Sequence, residues 1–117
     1  MPAINLKVIG ELRALQNAGS PGILPELIGQ FLQAADAQLS QLRRSVAARD
    51  AKTSWRVAHE LKAGCGNLGA QAMSRMCVEL QTAGHAADWA RADGLLSGLE
   101  AEFGSVRSEL ETEKRRG

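Results

Sequence analysis

Residues 21–49, PGILPELIGQFLQAADAQLSQLRRSVAAR, place Leu24, Ile28, Phe31, Ala35, Leu39, Leu42 and Val46 at spacings of three or four. Such spacing puts all seven side chains on one stripe of an α-helix. Proline is tolerated only in the first turn of a helix, so the segment is predicted to start at about Pro21 or Pro25 and to run to Arg49. A stripe of that length has to be covered by other helices.

The flanking sequence supplies them. Lys7 to Gln16 is a short amphipathic stretch with Val8, Leu12 and Leu15 at helical spacing, ended by Ala18-Gly19-Ser20-Pro21-Gly22. After the long helix, Asp50 or Thr53 can cap a helix carrying Val57, Leu61 and Leu68 that ends around Asn67-Leu68-Gly69. Met73, Met76 or Cys77, Leu80 and Ala83 mark a fourth segment that stops at Gly84, leaving His85 as a loop residue. Asp88 caps a last helix in which Trp89, Ala92, Leu96, Leu99, Phe103, Val106 and Leu110 repeat like a heptad. An intermolecular coiled coil is the competing reading of that repeat. It lasts about three heptads and contains Gly94, Gly98 and Gly104, each costing ~1 kcal/mol relative to alanine, so packing inside one molecule is favoured. No strand alternation or internal repeat is present. The fold class is therefore all-α: an antiparallel four-helix bundle with an additional short N-terminal helix, in one domain over residues 1–117.

Composition removes several functions. Lys+Arg number 14 against Asp+Glu 13, and a net charge of +1 gives no broad field to steer the chain onto nucleic acid or an anionic membrane. With no Tyr, two Phe and two Trp, stacking platforms for single-stranded nucleic acid are missing as well. No apolar run approaches the ~18 residues of a membrane span, and residues 1–10 lack the basic start and cleavage site of a secretory leader. A cytoplasmic protein is expected. Cys65 and Cys77 have no CxxC spacing and are read as two half-buried thiols in a reducing compartment.

The chemistry is concentrated in residues 55–70, WRVAHELKAGCGNLGA. At about 100° per residue, Val57 and Leu61 fall about 160° from His59, and Leu68 about 180°. The apolar face is thus opposite the histidine. Trp55, Lys62, Ala63 and Gly66 lie within roughly 60° of His59, with Arg56 at the edge of that sector. Three glycines within six residues, Gly64, Gly66 and Gly69, sacrifice helix propensity. Small residues beside a nucleophile let another surface come close.

His59-Glu60-Leu61-Lys62 followed by Ala63-Gly64-Cys65-Gly66-Asn67-Leu68-Gly69-Ala70 resembles the histidine-phosphotransfer (HPt) domain, in which a His and a Lys three later precede small residues and a small-Asn-Leu-Gly-Ala stretch. The resemblance extends over about residues 23–110 in helix order and length. One departure is that the family usually has Gly four residues after the His and Ser or Ala next, where this chain has Ala63 and Gly64. The resemblance implies that His59 is a phosphoacceptor exchanging a phosphoryl group with an aspartate of a receiver domain. Lys62 would hold phosphoryl oxygens. Gln81, 22 residues after His59, matches a position from which the family hydrogen-bonds the imidazole. Trp55, Arg56, Ala63 and Gly66 would meet the partner. No cofactor is expected in the chain itself, with Mg²⁺ brought by the receiver, and the protein would act as a monomer without autonomous kinase activity.

Two other readings compete. His-Glu-Leu-Lys also looks like the phosphoacceptor box of a sensor-kinase dimerisation domain, but Gly64 stands where a Pro usually follows, and no nucleotide-binding domain fits after His59. A non-catalytic helical interaction module is the plainer alternative. A metal site is disfavoured, since His59 and His85 lack the spacing that puts two ligands on one helix face.

Overall fold

The computed structural model describes residues 2–117; Met1, included in the expected domain and leader readings, lies outside the described residues. Five helices follow one another: α1 (Leu6–Asn17), α2 (Ile23–Ala47), α3 (Ala51–Asn67), α4 (Gln71–His85) and α5 (Trp89–Arg116). Helices α2 to α5 pack in the order α2–α3–α4–α5, and α2 closes the ring against α5. The expected antiparallel four-helix bundle with a short extra N-terminal helix is the observed architecture.

Three connections are built alike. At each, the residue just past the helix adopts the left-handed conformation: Arg49 (φ 55°), Gly69 (φ 76°) and Ala87 (φ 56°). The next N–H then bonds back to a carbonyl five residues earlier: Asp50 to Ser45, Ala70 to Cys65, and Asp88 to Ala83, all at 2.8 Å. This is the Schellman closure, and it satisfies carbonyls that a helix end leaves orphaned. The same residue that closes one helix starts the next. Asp50 accepts from Thr53 N at 3.1 Å and Asp88 from Arg91 N at 3.3 Å. Of the two candidate caps for α3, Asp50 is the one used, and its hydrogen bonds with Thr53 hold its carboxyl below the usual carboxylate range.

All seven stripe residues of α2 are buried, as are Ala92, Leu96, Leu99, Phe103, Val106 and Leu110 of α5. Three expectations are corrected. In α1 the buried residue is Ile9, while Leu15 is exposed and Val8 and Leu12 are only partly covered. The reason is that α1 packs mainly on one neighbour, α2, and its entry is set by the irregular segment before it. There Glu109 of α5 accepts from Ala3 N at 2.9 and 2.7 Å and from Ile4 N at 3.2 Å, which buries Ile4. In α4 the helix does not stop at Gly84: His85 is its last residue, and Gly84 is buried against Ser54 and Trp89. Finally, Cys65 and Cys77 are fully buried rather than half-buried.

Candidate functional site

α3 presents two unlike faces. Val57, Ala58, Leu61 and Cys65 are completely buried, and they pin the helix between α2 and α4. His59, Trp55, Arg56, Ala63 and Gly66 are all exposed, and Lys62 is half-buried. Burial of the inner face therefore orients the outer one, as the rotation of the helix predicts.

The imidazole of His59 is stacked on the indole of Trp55, one turn earlier, with ring centroids 5.3 Å apart and planes 7° from parallel. Helical side chains lean toward the N-terminus, which is what brings positions i and i+4 together. Arg56 is also paired one turn on, its Nη1 lying 3.0 Å from Glu60 Oε1. Both partners are largely exposed, so this pair contributes little stability, but it ties up the carboxylate next to His59.

Gln81 reaches the site differently from the family expectation. Its Nε2 donates to the backbone carbonyl of Trp55 at 3.2 Å, not to the imidazole. That carbonyl is also the one which accepts from the His59 N–H in the regular i→i−4 helical pattern. α4 thus fixes the backbone of α3 one turn before the histidine.

The three glycines separate into three roles. A Cβ on Gly64 would stand 3.2 Å from Phe31 Cδ1, so Gly64 admits the α2 ring into the interface and faces inward. Gly69 ends α3, and a Cβ there would meet the Asn5 backbone at 3.1 Å, where the N-terminal segment crosses and Asn5 N bonds to Gly69 O at 2.8 Å. Only Gly66 has open space before it. Of the three glycines expected to permit close approach by another surface, Gly64 and Gly69 face other parts of the chain and only Gly66 faces open space.

Beside the histidine face runs a groove of about 400 Å³ between α2 and α3, lined by Leu27, Phe31 and Ala34 on one side and Glu60, Gly64 and Asn67 on the other. Helical periodicity alone does not reveal it. Leu27 was the available signal, an apolar residue three positions from Leu24 and off the buried stripe.

Both cysteines are buried, away from the exposed face of α3. A hydrogen bond with Cys77, reinforced by burial, pushes the Cys65 thiol far up, away from the reactive thiolate. Among the described residues no group of three His, Cys, Asp or Glu is placed to hold a metal ion. No described helix is long and apolar enough to cross a membrane.

Fold and site together define a class: a helical bundle in which α3 displays one exposed imidazole on the face turned away from its buried side. The family model of the Hpt domain matches residues 26–111, and the chain belongs to that family. Its role is phosphotransfer in a phosphorelay. Among solved structures it resembles histidine-containing phosphotransfer protein B from Pseudomonas aeruginosa PAO1, with 28% identity and a TM-score of 0.87 over 99% of this chain and 97% of that one. A histidine-containing phosphotransfer protein from maize shares the fold at 22% identity, with a TM-score of 0.87 over 93% of this chain and 81% of that one. No curated protein matches the chain significantly.

Proposed function

We propose that His59 is the phosphoacceptor and that it exchanges its phosphoryl group with an aspartate of a receiver domain. The observation that carries this reading is the exposed His59 imidazole on a helix face opposite the fully buried Val57 and Leu61. In the forward step an imidazole nitrogen attacks phosphorus, a P–N bond forms, and the P–O bond of the aspartyl phosphate breaks to release the carboxylate. The ring sheds its proton to solvent. The Lys62 ammonium, one turn beyond His59, is within helical reach of the phosphoryl oxygens and would hold them by charge-assisted hydrogen bonds. Because phosphoryl transfer depends on positioning and charge neutralisation, the chain can work without a nucleotide site, the receiver bringing Mg²⁺ in its own acidic pocket.

Trp55, Arg56, Ala63 and Gly66 form the surface the receiver meets, with Gly66 leaving room two turns from His59. The protein works in this reading as a cytoplasmic monomer and has no kinase activity of its own. The test is to incubate it with Mg²⁺ and a receiver domain charged by acetyl phosphate, then map the label by mass spectrometry. Acid-labile, base-stable phosphate on His59 is the expected result. Label on His85, or none, would remove the assignment.

A further inference from the structure

We propose that Trp55 is a positioning residue for this transfer: its indole, stacked on the imidazole, holds the His59 ring in the orientation from which it attacks phosphorus. The inference rests on the reading of His59 as phosphoacceptor and adds a residue to its machinery.

Trp55 is 47% exposed, so the largest side chain of α3 is left half in water. The core does not account for it. One edge of a shallow pocket shared with Ala51, Lys52 and His85 is formed by Trp55, and its ring stacks on His59 in a near-parallel pair at 5.3 Å. An exposed histidine on a helix would otherwise exchange rotamers on the picosecond to nanosecond scale. The stack selects one of them.

Covering one ring face costs the reaction nothing. The lone pair of an imidazole nitrogen lies in the ring plane, so attack on phosphorus proceeds along the edge, which the indole leaves free. The neutral indole also brings no charge against an incoming phosphoryl group. Glu60, the carboxylate adjacent to His59 in sequence, is held by Arg56 at 3.0 Å.

The platform is itself anchored. Gln81 of α4 donates to the Trp55 carbonyl at 3.2 Å, so the backbone beneath the indole is fixed from a second helix. Gln81, Trp55 and His59 form a chain of support running from α4 to the reactive ring. Orientation of a reacting group is a large source of rate in transfer reactions, and a stacked aromatic pair is a modest constraint on it.

The test uses a donor too small to dock. With phosphoramidate, the donor P–N bond breaks as ammonia leaves, the new P–N bond forms to His59, and the ring proton passes to the departing ammonia or to water. Labelling rates of the intact protein are compared for wild type, Trp55→Phe and Trp55→Ala, beside NMR shifts of the His59 ring protons and thermal melts. Trp55→Ala should label roughly three- to tenfold more slowly, lose the ring-current shift of the His59 protons and melt like wild type. Trp55→Phe should recover most of the rate.

A Trp55→Ala protein that labels at the wild-type rate with phosphoramidate overturns the inference, even if its transfer from a receiver falls, because Trp55 would then serve docking alone. A wild-type protein that shows the ring-current shift but takes no phosphoryl group from phosphoramidate or a receiver overturns the phosphoacceptor reading itself, and this inference with it.

Discussion

Gly64 and Gly66 stand two residues apart on α3 and have opposite tasks. Gly64 lets the Phe31 ring approach within 3.2 Å of where its Cβ would be, and Gly66 looks into open space. The contrast extends along the helix: Val57, Leu61 and Cys65 face the core, and Trp55, His59 and Ala63 face outward. One helix therefore carries stability on one side and, in the proposed function, chemistry on the other, so that the two should be separable by mutation.

The largest separable effect is expected on the inner side. Leu61 is fully buried, and Leu61→Ala should lower the unfolding free energy by about 2–5 kcal/mol. Measured where the variant is still folded, phosphoryl acceptance should stay near the wild-type rate. Urea unfolding and labelling of the same sample check both halves, and a stability loss below ~1 kcal/mol would break the contrast.

On the outer side, Lys62→Ala should change stability by no more than about 0.5 kcal/mol. Transfer should slow roughly 10- to 150-fold if a charge-assisted hydrogen bond of ~1.5–3 kcal/mol is lost from the transition state. Single-turnover transfer from one phosphorylated receiver decides this. An unchanged rate would reduce Lys62 to a stem covering part of the bundle.

The glycines offer the finest comparison. Gly66→Ala should raise stability by up to ~1 kcal/mol, because it gains helix propensity in free space. Gly64→Ala gains the same propensity but must displace Phe31, so it should be less stable than Gly66→Ala by about 1–3 kcal/mol. Gly66→Leu should fold normally and lose transfer, since its side chain fills the approach to His59. Equal melting of the two alanine variants would show that the interface around Phe31 is slack.

Much of this was legible in the sequence because it is local. The stripe from Leu24 to Val46, the caps Asp50 and Asp88, and the outward placement of His59 follow from helical rotation and from hydrogen bonds between near neighbours. What escaped depends on partners far along the chain. Glu109 grips Ala3 and Ile4 across more than one hundred residues, and this changes which side of α1 is buried. Gln81 meets the Trp55 carbonyl from 26 residues away, a contact no spacing rule specifies.

The turns divide in the same way. Gly69 advertises a left-handed residue, whereas Arg49 and Ala87 adopt that conformation without glycine, against a cost of roughly 1–2 kcal/mol each. Arg49 is held there by tertiary contacts, an ion pair to Asp93 at 3.0 Å and a position over the Trp89 ring at 5.7 Å. Gly84 misled for the complementary reason. Read as a helix stop, it is instead a close-packing residue inside α4.

The central claim is that the exposed face of α3 carries the reaction through one side chain. His59→Gln tests it most directly, with thermal unfolding and transfer from a phosphorylated receiver measured on the same preparation. The variant should melt within experimental reach of wild type, since an exposed substitution costs no more than about 0.5 kcal/mol, and should lose acid-labile phosphate completely. Retained labelling would place the phosphoacceptor elsewhere, and a large drop in melting temperature would make His59 a structural residue rather than a reactive one.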